Sequence, residues 1–287
     1  MVSQPQTSPD LADNHFRHWK SVFEDLTGIQ LAAEREGLVK SVLRARLIEK
    51  GVSCFENYLQ QLLASPAFGK KEWDVLFERI LIGETRFFRH KPTYDFIAGH
   101  IKQSLRLDKS SSVPTVKIWS PGCSSGEEVY SLAIVAYRLC KGLTKKVDFS
   151  VTGTDINVKS LEQAKAGVYS NILRKGIDAE TANAFFDQRP GGVFEVKQFL
   201  KGCVKFSKHN LLEPVASNEQ RGLDIISCQN LLIYLQGWRR RAVIRQLIPS
   251  LKIGGVLIVG PGELLGWKPE GLVRVPVDNV QAYAKVM

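Results

Sequence analysis

The sequence is poor in cysteine. Five are scattered along 287 residues (Cys54, Cys123, Cys140, Cys203 and Cys228), an odd number with no C-x-x-C pair. That argues against a disulfide framework or a zinc site and for a reducing cytoplasm. No apolar run reaches the roughly 18 residues needed to span a bilayer, so no membrane insertion is expected. The opening "MVSQPQTSPDLAD" lacks the basic-then-apolar order of a secretory signal and reads as a loose polar tail over residues 1–13. Internal repeats are absent, as is any Ser-His-Asp constellation or metal-ligand cluster. Acidic charge is in deficit. Lys and Arg number 39 against 29 Asp and Glu, a net charge of +10, of which the first 110 residues carry only +2. A basic balance favours acidic partners, whether nucleic acid, anionic lipid or a carboxylate-rich protein surface. Because the basic residues are dispersed, solubility alone is an equal reading.

What is present is ample apolar content, 44% of the chain, enough for one large or two ordinary domains. The first hundred residues show helical spacing without strand alternation. In "LVKSVLRARLIEKG", Leu38, Val42, Leu43 and Leu47 recur at helical intervals, with Lys40, Arg44 and Arg46 elsewhere on the surface and Gly51 as a stop. "SCFENYLQQLLASP", with Ser53 as a cap, and "KEWDVLFERILIGE" read the same way. A helical domain is expected over 14–102 and a polar linker over 103–115.

From Val116 the pattern becomes strand, helix, strand. "VKIWS", "VDFSVTGTD", "LDIISCQN" and "GGVLIVG" read as strands, with helices in "EEVYSLAIVAYRLC", "NVKSLEQAKAG" and "WRRRAVIRQLIPSL" between them. This alternation predicts an α/β domain over 116–287 with a mostly parallel sheet covered on both faces. A small antiparallel hairpin unit is expected at about 185–206, turning at "RPGG".

The stretch "SPGCSSGEEVYS" follows the first strand. Glycines there let backbone approach a ligand at the strand end, where open α/β sheets bind ligands. Dinucleotide folds place a pyrophosphate on the next helix N-terminus. Glu127 and Glu128 occupy that position here and would repel a phosphate. They suit a cation or hydroxyl donors, and a nucleoside bearing a sulfonium and an ammonium, S-adenosylmethionine, fits. Asp155, ending the second strand, can take both hydroxyls of a ribose. Local readings stand beside these: Glu in a first helical turn favours the macrodipole, and Asp155 could be an N-cap.

Five motifs in order carry a resemblance. "GETRFFR" (Gly83–Arg89), "CSSGEEVYS" (Cys123–Ser131), "TDINVKSLEQAKAGVY", "FSKHNLL" (Phe206–Leu212) and "LDIISCQNLLIYL" resemble "NETxFFR", "CSTGEEPYS", "TDID…LxxAxxGxY", "F…hNLL" and "FDxIfCRNVLIYF" of the CheR chemotaxis-receptor glutamate methyltransferases. The likeness covers nearly the whole chain from about residue 35. It implies an all-helical N-terminal domain, a Rossmann-like methyltransferase domain with a small β-subdomain, and S-adenosylmethionine as cofactor, with S-adenosylhomocysteine as product. By this resemblance Thr85 and Arg89 would reach the cofactor pocket, Arg89 meeting its carboxylate. Glu127 would bind its cationic end, Asp155 the ribose, Asn210 and Leu211 the adenine. Gln229 and Asn230 would line the pocket, and Tyr234 would sit near the transferring methyl. Lys40, Arg44 and Arg46 would face the receptor.

The resemblance further implies a cytoplasmic monomer without metal, whose partner is the cytoplasmic helical bundle of a chemoreceptor, methylated on glutamate. Three departures stand out: Gly83 for Asn, Gln229 for the Arg of "CRN", and "GPGE" (Gly260–Glu263) for "GHSE". The short turn "RPGGVF" resembles the members that need no receptor tether peptide. Two rivals stay open. A non-catalytic adaptor could retain the fold, favoured by Gly83 and Gln229. A nucleic-acid methyltransferase is favoured by the charge, but "QNLLIY" lacks the prolines of the amino-N motif.

Overall fold

A computed structural model describes residues 13–81, 84–107, 113–144, 146–215, 220–264 and 266–286. Residues 1–12 of the tail expected over 1–13 lie outside them, as do Gly83 and residues 108–112 of the expected linker, while Asp13 opens the first helix. The chain divides into two compact units, one of residues 1–82 with Tyr234–Gln236, the other of Gly83–Ile233 with Gly237–Met287.

Among the described residues the first unit contains four α-helices: α1 (Asp13–Thr27), α2 (Glu36–Lys50), α3 (Phe55–Ala64) and α4 (Pro66–Ile80). Its core is aromatic, with Trp19 stacked against Phe23 and Trp73 at 5.1 and 6.1 Å between ring centroids. Helix α2 stops at Gly51, whose left-handed φ of 65° lets its N–H reach back to the carbonyls of Ile48 and Leu47. The buried stripe of α2 is Val39, Leu43, Arg46 and Leu47. Leu38, expected inside, is 52% exposed. Helix α3 is capped by Cys54 rather than Ser53: the thiol accepts from the Asn57 N–H.

The second unit begins with α5 (Lys91–Leu107), which supplies Tyr94, Ile97 and Ile101 to its core. This helix, expected with the helical domain, therefore belongs to the sheet. The strands are β1 (Thr115–Pro121), β2 (Asp148–Asp155), β3 (Val168–Ser170), β4 (Phe186–Arg189), β5 (Val193–Val196), β6 (Val204–Lys208), β7 (Leu223–Cys228), β8 (Leu251–Val259), β9 (Leu272–Arg274) and β10 (Gln281–Lys285). The helices are α6 (Glu127–Lys141), α7 (Val158–Ala166), α8 (Ala179–Phe185), α9 (Gln198–Lys201) and α10 (Gly237–Leu247).

Seven strands form one sheet in the order β6-β2-β1-β7-β8-β10-β9. The first five run parallel, and β10 and β9 are antiparallel. Every residue of β7 is buried, as a strand covered on both faces requires. The order reverses at β1, so the carboxyl ends of β1, β2 and β7 open on the crevice where such sheets take ligands.

The remaining strands form a separate antiparallel sheet, β3-β5-β4. The hairpin β4–β5 turns at Pro190–Gly192, within the expected stretch. Its third strand comes from upstream, and β6 is an edge strand of the large sheet instead of part of the insertion. Gly254 and Gly255 lie inside β8, not in a turn before it. Gly254 has a φ of 78°, and the pairing of β8 with β7 shifts register there, as at a bulge. Among the described residues no helix is long and apolar enough to cross a membrane.

Candidate functional site

The turn after β1 is fixed from beneath. The N–H groups of Gly122 and Cys123 both donate to the Thr154 carbonyl, at 2.7 and 3.0 Å. Gly126 then enters α6 with a φ of 91°, and a Cβ there would stand 2.8 Å from that of Ala164. Only glycine fits that conformation in that space. Ser124 has a φ of 48°, Asn230 of 57° and Phe88 of 47°. Non-glycine residues in the left-handed region carry strain of order 1 kcal/mol or more, and such strain gathers at functional sites.

Asp155 closes β2 beneath this turn. Its Oδ2 accepts from the Ser124 N–H at 2.8 Å and its Oδ1 from the Asn157 N–H at 2.8 Å. Asn157, not Asp155, is the N-cap of α7. Burial pushes the Asp155 carboxyl up, while those N–H donors oppose the rise. Each carboxylate oxygen keeps a lone pair beyond the backbone bond it accepts, which is the acceptor pair a diol needs.

The two glutamates diverge, since neighbouring helical residues point about 100° apart. Glu127 is only 2% exposed, and its Oε2 accepts from Ser125 Oγ at 2.7 Å. Glu128 lies toward the ends of β1 and β7. Its Oε1 accepts from Ser120 Oγ at 2.9 Å and its Oε2 from the Gln229 amide at 3.4 Å. Burial pushes the Glu128 carboxyl up to about 7, the hydroxyls of Ser120 and Ser227 pull it down, and the Glu263 carboxylate raises it again.

Glu263 is fully buried in the loop after β8. Its carboxylate accepts from the N–H groups of Gly260 at 2.6 Å and Ile233 at 3.1 Å, joining that loop to the segment after β7. Burial raises its pKa against those donors.

The segment before α5 is anchored by Phe87, fully buried with its ring edge-on to Tyr169 and Phe186 at 5.0 and 5.5 Å. The Phe88 N–H donates to Ser131 Oγ, itself bonded to the Glu127 carbonyl. Arg89 is exposed, and its guanidinium donates to the Glu84 carbonyl at 3.2 Å. Thr85 is half-buried.

Asn210 closes a turn, its Oδ1 accepting from the Leu212 N–H, with Leu211 half-buried beside it. The His209 N–H donates to the Asp155 carbonyl, and the His209 Nε2 is buried without a protein partner. Gln229 and Asn230 follow β7. Tyr234 lies in the short 3₁₀ turn Leu232–Tyr234 and groups with the helical unit, its carbonyl accepting from the Gln30 N–H at 2.7 Å.

Arg46 is withdrawn from any partner-facing surface. It is 6% exposed, and its guanidinium grips both oxygens of Glu72 at 2.7 Å while also meeting Glu49. Tyr58 donates to the same Glu72. Arg44 is exposed. Lys40 stands over the Phe16 ring at 4.8 Å, in a cleft it lines with Arg17, Lys20, Glu24 and Glu36.

The second unit thus places the half-buried Asp155 and Glu128 and the buried Glu127 and Glu263 around a glycine turn, at the carboxyl ends of the strands where such sheets take ligands. The family profile described as CheR methyltransferase, SAM binding domain, matches residues 83–278, and CheR methyltransferase, all-alpha domain, matches 14–81. The chain belongs to the CheR methyltransferase family. It is 30% identical to the chemotaxis protein methyltransferase of Vibrio parahaemolyticus, over 90% of this chain and 92% of that one. To the enzyme of that name from Salmonella typhimurium it is 30% identical, over 88% and 84%. To the one from Escherichia coli it is 29% identical, over 88% and 85%. It is therefore an S-adenosylmethionine-dependent methyltransferase, and the acid-rich strand end fits a cofactor bearing a sulfonium and an ammonium. Sequence reasoning brought both Glu127 and Glu128 to this site and gave the cofactor's cationic end to Glu127; it gave Glu263 no role. The place of Glu263 is set by tertiary packing of the loop after β8.

Proposed function

We propose that this CheR-family enzyme methylates glutamate side chains on the cytoplasmic helical bundle of a chemoreceptor. The observation that carries this reading is Asp155, aimed by two backbone N–H groups at the carboxyl end of β2. Asp155 takes the ribose hydroxyls, and Glu128, rather than Glu127, faces the cationic end. Asn210 and Leu211 flank the base. Gln229, Asn230, Thr85 and Arg89 complete the pocket, with Arg89 released from Glu84 to the cofactor carboxylate, a pairing guanidinium makes well. When bound, S-adenosylmethionine supplies a methyl group on a cationic sulfur.

The acceptor glutamate has an ordinary pKa near 4.3 and is ionised at neutral pH. No strong general base is needed; the work is alignment and exclusion of water. Tyr234, four residues beyond Asn230, is the candidate to orient the acceptor or contact the methyl. Lys40 and Arg44, one turn apart on α2, meet acidic receptor surface. The hairpin turn of three residues, Pro190–Gly192, supports recognition without a receptor tether peptide.

The test is transfer of labelled methyl from S-adenosylmethionine to a receptor cytoplasmic fragment. The label should be released by alkali, as a glutamate ester is. Alkali-stable label, or none, would overturn the reading.

A further inference from the structure

Helix α10 carries four arginines in 11 residues and no acid. Two of them turn inward. Arg239 is 8% exposed, and Arg240 donates to the Glu263 carbonyl at 2.9 Å, which ties the first turn of α10 to the loop after β8. The other two face solvent. Arg241 and Arg245 lie one turn apart and in line with Trp238, at the i, i+3, i+7 spacing that makes one helical stripe. Trp238, at the head of the stripe, is 64% exposed.

Both outward guanidiniums stand over one ring. Arg241 is 5.9 Å and Arg245 5.7 Å from the centroid of Trp267, which is half-buried in the loop after β8. A ring beneath a guanidinium steadies its plane and leaves its N–H edge free for an acceptor. Among the described residues neither arginine pairs with a carboxylate. The loop segment Gly266–Gly271 adds one lysine and one glutamate, which offset each other. The two cations of the stripe therefore stay uncompensated.

The spacing selects the chemistry of the partner. Two cationic forks about 6 Å apart match carboxylates one turn apart on a facing helix, each of which a fork can take bidentately. The exposed indole beside them offers the large rigid anchor that protein interfaces favour. A nucleic-acid strand also brings anions, but it binds through bases stacked on open rings. The Trp267 ring is half-buried and already engaged by both guanidiniums.

We propose that the outward stripe of α10, Trp238 with Arg241 and Arg245 held on Trp267, is a docking face for an acidic helix of the receptor bundle. This rests on the receptor reading above and adds a recognition surface to it. A parallel crossover from β7 to β8 starts α10 at the carboxyl end of β7. The stripe thus begins at the end of the sheet where the ligand crevice opens and the acceptor must arrive.

The test is label transfer to a receptor cytoplasmic fragment over a range of fragment concentrations. Arg241→Glu with Arg245→Glu turns attraction into repulsion and should raise the KM for the fragment by about tenfold at low salt. Its kcat at saturating fragment, and its S-adenosylmethionine affinity in calorimetry, should stay within about twofold of wild type, the pattern of lost docking in a folded enzyme. Arg241→Gln with Arg245→Gln removes the attraction alone and should raise KM severalfold; it serves where the glutamate variant does not fold. A KM within about twofold of wild type in the glutamate variant, or in the glutamine variant where only that one folds, would overturn the inference. So would single-stranded RNA that binds wild type and not the variant while KM is unmoved. A wild type that labels no receptor fragment would instead overturn the receptor reading beneath it.

Discussion

Asp155 and Glu128, both half-buried, and the fully buried Glu263 lie near the carboxyl ends of different strands, and their surroundings set them different tasks. Asp155 accepts two backbone N–H bonds and is locked in place. Replacing it by alanine removes charge-assisted acceptors worth about 1.5–3 kcal/mol each. Asp155→Ala should therefore weaken S-adenosylmethionine and S-adenosylhomocysteine alike by about ten- to a hundredfold in calorimetry; unchanged affinity would remove Asp155 from the site. Glu128 has only neutral donors, and burial lifts it to about 7. Without cofactor, the folded protein keeps a proton on Glu128 that the unfolded chain loses near pH 4.3. Stability should thus fall as pH rises from that value to about 7. Glu128→Gln cannot ionise and should escape the fall, its advantage over wild type growing from about 1 kcal/mol at pH 5 to about 3 kcal/mol at pH 8. Urea unfolding at both pH values measures this. Asp155 was readable because a lone acid at a strand end has one place to point. The choice between Glu127 and Glu128 was not, because it depends on how α6 is rotated against the sheet.

At the scale of elements, α2 shows where spacing misleads. Lys40 and Arg44 read as one basic face and Arg46 as a surface residue pointing elsewhere, but Arg46 turns inward onto Glu72, which lies 26 residues on in α4. No local pattern announces a buried ion pair whose partner sits on another helix. Burial alone would push the Glu72 carboxyl up, but hydrogen bonds from Arg46 and Tyr58 hold it low. Arg46→Ala leaves that carboxylate with only the Tyr58 hydroxyl at 2.7 Å and the Lys50 ammonium at 3.4 Å, and should cost about 3 kcal/mol in unfolding of the helical unit. Arg44 is exposed and one turn from Lys40. Lys40→Glu with Arg44→Glu should lower receptor methylation severalfold at low salt, leave S-adenosylmethionine affinity unchanged, and show a smaller deficit as salt rises. Full methylation by the double variant at low salt would return this helix to an ordinary solvated face. The strands were legible by composition. Their partners were less so, and β6 was assigned to the insertion because edge pairing with β2 leaves no mark within "VKFSK".

At the scale of the molecule, the helical-then-α/β order was visible in the change from one periodicity to the other. The boundary was not. Helix α5 has the same amphipathic spacing as the helices before it, and only the apolar faces of the sheet claim it. The charge balance bears on the partner. A net +10 suits an acidic bundle, but long-range attraction raises encounter rate without fixing orientation. Orientation must come either from a tether or from the surface of the enzyme itself. The small sheet offers a tether little: β4 and β5 are joined by a three-residue turn, Pro190–Gly192, and Gly191 and Gly192 contribute no side chains to grip with. If recognition resides instead on the bundle, removing the receptor's C-terminal tail should leave the initial rate of methylation within about twofold, well below the tenfold that 1.4 kcal/mol of lost binding would produce. The measurement is label transfer to full-length and tail-deleted receptors at matched, sub-saturating concentration. A drop of tenfold or more on tail deletion would show that a tether is used despite the short turn.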